Sequence, residues 1–217
     1  AATNEHPDLG VVRGAGRAVV AVDRATADDI DRVLMPNHEA GLSATAHLLK
    51  DYSRVAYIGG PEHVQTARER AEGWREAHRR RGSEAPADLL RFDSFLVDGG
   101  RRVMEELLGL PEPPDAVVAG NNLIGVGVLQ VLGERGLTPP RVGVAVIGSP
   151  PFTTLSPTAV TIIRLPAREM GTTAARLLLD RIAGEDGPSR TVVLQAELRP
   201  AADPSSPLPI ADDGAVT

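Results

Sequence analysis

Short β-branched runs alternate along this chain with longer segments in which apolar residues recur at helical spacing. Ala18 to Val22 predicts a strand, and His38 to Lys50 a helix. Val55-Ala56-Tyr57-Ile58 predicts another strand, closed by the turn signal Gly59-Gly60-Pro61. Val64 to Arg81 predicts a long helix with Gly82 as its stop. Then come a short strand at Leu89 to Phe92, a helix at Gly99 to Leu108 ended by Pro111 to Pro114, and a strand at Ala116 to Ala119. Leu123 to Arg135 predicts a helix stopped by Gly136, and Val142 to Ile147 a strand. Pro166 to Ile182 predicts a helix with proline at its start, and Thr191 to Leu194 a last strand.

Strands alternating with helices of ten or more residues imply βαβ units and a parallel sheet. The strands are almost wholly apolar, as they are when helices cover both faces. In such sheets ligands bind beyond the carboxyl ends of the strands. That directs attention to the turns after Ile58, Phe92, Ala119 and Ile147. Beyond Arg199 the chain becomes rich in Pro, Ala, Ser and Asp, so residues 201–217 are expected to form a loose tail.

Composition narrows the class. The 217 residues, 42 % hydrophobic and 24 % charged, suffice for one large domain or two small lobes. No apolar run reaches the length of a membrane span, and Ala1 to Asp8 carry no export signal, so a cytoplasmic location without membrane contact is expected. Cysteine is absent, which excludes disulfides and thiolate metal sites. The net charge of -6 leaves no basic module able to replace counterions on phosphate. Arg79-Arg80-Arg81, the longest basic run, reads as a solvated helix end.

Catalytic motifs are missing. No phosphate-binding glycine loop appears, and Gly125-Val126-Gly127 lies inside a predicted helix. His38-Glu39 has no second histidine at zinc-protease spacing, and Gly148-Ser149-Pro150 is not a nucleophile elbow. Asp28-Asp29 reads as a charged turn or helix start. No cofactor, metal or catalytic role is expected.

An ordered series of stretches resembles the effector-binding domain of the lac repressor and purine repressor (LacI/GalR) family. Val19 to Arg24 is similar to the family's strand ending in an Asp-Arg pair. His47-Leu48-Leu49 followed by Arg54 to Pro61 is similar to its "HL…IA.I.GP" passage, and Thr66 through Arg70 with Gly73-Trp74 to "t…R..G(F/W)". Pro114 to Asn122, Gly127 and Gly136-Leu137-Thr138-Pro139-Pro140 continue the series. Val160-Thr161, Pro166, Gly171, Ala174-Ala175, Leu177 to Ile182 and Gly184 complete it, so the resemblance covers about residues 18 to 200.

The resemblance implies a two-lobed α/β fold of the type I periplasmic-binding-protein kind, with parallel sheets, three crossovers and a ligand cleft between lobes. Residues 1–37 and 167–185 would form a partial N-terminal lobe, and residues 38–164 and 186–200 the C-terminal lobe. The family's helix-turn-helix, hinge helix and first two βα units have no counterpart here. A lobe built around a single early strand would leave a ragged sheet edge and uncovered apolar helix faces.

The resemblance also implies site residues. Arg70 stands at the family's effector-binding arginine, and its guanidinium suits hydroxyl pairs, carboxylates or a purine carbonyl. Asn121 stands at the ligand-contacting asparagine, although a helix cap would equally explain it. Asn122 replaces the usual aspartate and is expected to cap the helix near Leu123. The family's stacking aromatic falls near Ser94, which cannot stack; Phe95 is one residue on and Phe92 two residues back. Trp74 reads as core. After Ile147, Ser149 stands in Gly148-Ser149-Pro150-Pro151 where the family supplies an aspartate, and Leu165 replaces a polar residue. Pro36-Asn37 departs from the family's "DN". A sugar there would leave hydroxyls unpaired at about 1–3 kcal/mol each, so a less polar effector is also compatible.

The function implied is a small-molecule binding module for a sugar, nucleobase or less polar metabolite, in a homodimeric regulator that meets operator DNA through a head outside this chain. The rival is a solute-binding protein of a transporter. An α/β hydrolase is the more remote alternative.

Overall fold

A computed structural model describes residues 17–23, 29–149 and 159–201. The expectations for the tail beyond Ala201, for Arg24 and Asp28, and for Pro150 and Pro151 lie outside the described residues. The described residues build two sheets. The smaller joins β1 (Val20–Val22), β2 (Asp31–Leu34) and β8 (Thr191–Val193) in the order β1-β2-β8, all parallel. The larger takes β3 (Val55–Gly59), β4 (Leu90–Phe92), β5 (Ala116–Ala119), β6 (Gly143–Ile147), β7 (Thr161–Arg164) and β9 (Glu197–Arg199) in the order β4-β3-β5-β6-β7-β9. Among the described strands only β9 runs antiparallel, pairing Leu198 with Ile163.

Among the described residues five α-helices cover these sheets: α1 (Asn37–Leu48), α2 (Gln65–Arg80), α3 (Val97–Leu108), α4 (Asn122–Glu134) and α5 (Ala167–Ile182). Strands β3, β5 and β6 are buried at every position, which their unbroken apolar sequence anticipated. They form the centre of a core that also holds Trp74, Met104, Ile124 and Leu132. α1 lies against α2 because Gly41 and Gly73 have no side chain: a Cβ on either would overlap backbone atoms of Arg70 or His38 respectively. Helices α2 and α4 are followed by Gly82 and Gly136 with φ of 81° and 64°, so both predicted stops are real.

The chain passes between the sheets between residues 34 and 37, 164 and 167, and 193 and 197. One boundary needs correction. Residues 186–200 were expected with the larger lobe, but β8 pairs with β2, and Leu194 N–H donates to the Leu34 carbonyl at 3.1 Å. The segment through Leu194 therefore belongs to the smaller sheet.

Three strands escaped the pattern. β2 begins with the charged pair Asp31-Arg32, in a segment for which the pattern predicts no strand; tertiary partners neutralise the carboxylate there. The Asp31 side chain is fully buried and accepts from Arg181 Nε at 2.9 Å, Arg181 Nη2 at 2.8 Å and the Arg190 N–H at 2.7 Å. Short β7 and β9 were hidden beside proline-rich sequence. The smaller core contains Val33, Leu177 and Leu194. Of α5 only Thr173 and Leu177 are buried, while Leu179 and Ile182 are 63 % and 66 % exposed, so its outer apolar face is uncovered as expected.

Candidate functional site

The parallel pairing sets the ends of β3, β5 and β6 side by side, and the expected residues gather there. Arg70 sits in α2, buried, and reaches across to the turn after β5. Its Nη1 donates to the Gly120 carbonyl at 2.6 Å and its Nε to Asn37 Oδ1 at 2.9 Å. Burial pushes its pKa down from the ordinary arginine value, with Tyr57, Asp23 and Glu69 opposing. A guanidinium offers five N–H donors, and these two bonds leave others. Tyr57, buried in β3 near the arginine, has its phenol pushed well above its usual range by burial.

Asn121 follows Gly120 and is the N-cap of α4. Its Oδ1 accepts the Ile124 N–H at 2.8 Å, and its Nδ2 donates to the Phe95 carbonyl at 3.0 Å. The cap expected of Asn122 therefore belongs to Asn121; Asn122 is the first helical residue, and its Oδ1 accepts only the neighbouring Leu123 N–H. Asn121 thus ties the β5 turn to the loop after β4. Phe95, half-buried, lays its ring over Gly60, where any Cβ would overlap it. Ser94 N–H donates to Asp93 Oδ1 at 2.6 Å, and Asp93 is itself clamped by Arg102, which holds its carboxyl below the ordinary range. Phe92 meets Tyr57 edge to face at 6.4 Å. Trp74 is core, 1 % exposed, with its indole N–H on the Val55 carbonyl at 2.9 Å.

Arg70, Asn121, Phe95 and Ser94 are thus linked by backbone and side-chain bonds at one end of the larger sheet. Ser149 follows β6 on the same end and is exposed.

A hollow of about 320 Å³ opens between the ends of the smaller sheet and the first turns of α1 and α2; none of Arg70, Asn121, Phe95, Ser94 and Ser149 lines it. Leu34, Met35 and Val193 give it an apolar side. Asp23, Asn37, His38, Glu39, Gln65 and Glu69 give it a polar one. Asn37 connects the hollow to Arg70: its Oδ1 accepts from the arginine, while its Nδ2 donates to Glu69 Oε2 at 3.1 Å. Gln65 Nε2 donates to the other oxygen of Glu69 at 2.6 Å. Sequence reasoning passed over Gln65 and Glu69 and noted Asn37 only as a departure. Their one signal was the spacing, which sets Gln65 and Glu69 one turn apart on the helix that carries Arg70. Among the described residues no group of His, Asp and Glu has metal-binding geometry.

A profile of the periplasmic binding protein-like domain matches residues 45–200, and the chain belongs to that family. Relatives named as regulators lie close. The HTH-type transcriptional regulator CelR of Thermobifida fusca is 34 % identical over 174 residues, 79 % of this chain and 51 % of the relative. The ribose operon repressor of Escherichia coli is 36 % identical over 150 residues, 64 % of this chain and 43 % of the relative. Among solved structures, a transcriptional regulator CelR–cellobiose complex superposes with a TM-score of 0.75 at 32 % identity, over 83 % of this chain and 57 % of that one. The chain spans about half the length of the curated relatives it matches.

Proposed function

We propose that this chain is the effector-binding part of a transcription regulator of the lac repressor type, acting by binding and not by catalysis. A sugar or related metabolite enters between the two sheets and favours one arrangement of them over another. It can shift that balance only by its difference in affinity for the two. Operator DNA would be met by the portion of such regulators that this chain does not match. The regulator would work in the cytoplasm as a homodimer, matching operator symmetry; the exposed Leu179 and Ile182 on α5 are compatible with contacts made in that assembly.

The observation that carries the reading is the 34 % identity with CelR, joined to the 32 % identical fold of CelR bound to cellobiose. The link from Arg70 to the Gly120 carbonyl, next to Asn121, supports it by bringing polar groups to the carboxyl ends of the strands. Arg70 and Asn121 would offer N–H donors, Phe95 an apolar platform, and Ser94 and Ser149 hydroxyls at the rim.

Isothermal titration with cellobiose, ribose and a nucleobase, adenine, tests the proposal. At least one should bind, and Arg70→Ala should weaken that binding at least about tenfold, the worth of one charge-assisted hydrogen bond. Circular dichroism would confirm that the variant is folded. Silence from all three, or an affinity indifferent to Arg70→Ala, would overturn it.

A further inference from the structure

The hollow beside Asn37 carries more information than its position. Glu69 is half-buried on its wall, and both carboxylate oxygens are oriented by amides, Oε1 by Gln65 and Oε2 by Asn37. A carboxylate has about four acceptor positions. Two are taken, and the geometry of the two amides fixes where the others lie. Glu39 stands on the same wall at the start of α1, its Oε1 accepting from Ser43 Oγ at 2.8 Å. Neither lysine nor arginine lines the hollow among the described residues. The charge of Arg70 lies behind Asn37 and is directed at Asn37 and Gly120.

The hollow therefore presents held acceptors and negative charge together with the apolar side chains of Leu34, Met35 and Val193. A ligand seated here gains by donating O–H or N–H groups to Glu69 and by covering the apolar side with a ring face. An anionic group would be brought beside three carboxylates, the exposed Glu39 and the half-buried Asp23 and Glu69, and near the half-buried pair like charges repel more than in open water. We infer that Glu69, held by Gln65 and Asn37, sets the ligand class of this site: uncharged or amine-bearing polyols are admitted, and phosphorylated or carboxylated ones are turned away. This inference rests on the effector-site reading above and adds to it the chemistry that the site selects.

Calorimetric titration of this chain with two matched series tests it: ribose against ribose 5-phosphate, and glucose against glucosamine and glucose 6-phosphate, with cellobiose alongside. The phosphorylated member should bind at least about tenfold more weakly than its parent. In Glu39→Gln/Glu69→Gln that penalty should shrink at least threefold, because two of the hollow's three carboxylates are neutralised, Asp23 alone remaining, while size is unchanged. Glu69→Gln alone should weaken glucosamine more than glucose. A phosphorylated sugar that binds as well as its parent overturns the inference while leaving the effector reading intact. So does a penalty that the double variant does not reduce, which would make the exclusion steric. Silence from every probe overturns the effector reading itself, and the inference with it.

Discussion

Replacing Asp31 tests how the smaller sheet is held. Its carboxylate is fully buried at the start of β2 and receives four hydrogen bonds: two from the Arg181 guanidinium, one from the Arg190 backbone N–H and one from Arg190 Nη2 at 3.2 Å. These bonds join β2, α5 and the entry to β8, elements whose shared apolar core is small. Removing one partner of a buried ion pair costs about 3–5 kcal/mol. Here Arg181 and Arg190 keep 18 % and 33 % of their side chains exposed, so water rescreens them and the loss is smaller, about 2–3 kcal/mol. In a chain of this size each kcal/mol moves the melting temperature by roughly 2–4 °C, so Asp31→Asn should melt about 4–12 °C lower. The arginine partners hold the Asp31 carboxyl far below the ordinary carboxylate range. Its contribution is therefore complete above the unfolded-state value near 3.9 and is lost as pH falls below it. Urea melts at pH 7 and pH 3 should show a gap between native chain and variant that narrows in acid. Hydrogen exchange would place the loosening in β2 and β8. A variant that melts within 1 °C of the native chain at pH 7 would refute the reasoning.

Other expectations follow from the packing. Gly73→Val would drive a side chain into the His38 carbonyl and part α1 from α2, costing about 1–3 kcal/mol in denaturant midpoint and loosening the Asn37–Arg70 contact. His78 is buried edge-on to Trp74 at 4.9 Å, its Nε2 makes no hydrogen bond, and burial pushes its pKa down. The unfolded chain binds the proton first, so this contribution is complete above about pH 6.5 and falls away as acid is added. Urea titrations between pH 7.5 and 5 should show that slope, and His78→Gln should flatten it. Asn121→Ala removes both the cap of α4 and the tie to Phe95, about 1–2 kcal/mol in thermal melts, whereas Asn121→Asp should keep the cap and lose only the tie.

The larger lobe was legible in the chain because its signals are local. Val55 to Ile58, Ala116 to Ala119 and Val142 to Ile147 are apolar throughout, and a strand buried on both faces needs nothing else to declare it. Gly82 and Gly136 marked helix ends because only a residue tolerant of positive φ closes a helix that way. The ordered motifs from Val19 to Gly184 singled out Arg70 and Asn121, and Arg70 bonds to the carbonyl of Gly120, the residue before Asn121. Tertiary structure decided what depends on partners distant in sequence. Asp31 is a strand residue only because Arg181, 150 residues away, supplies the countercharge, and an isolated DRVL says nothing of that. Thr191 to Val193 looks like any short strand; which sheet it joins was settled by the open edge of β2, and it left the lobe first expected. The hollow's acceptors are of the same kind. Gln65 and Glu69 are ordinary helix residues until the turn after β2 brings Asn37 against them, because hydrogen bonds between elements depend on approach in space, which residue order does not encode.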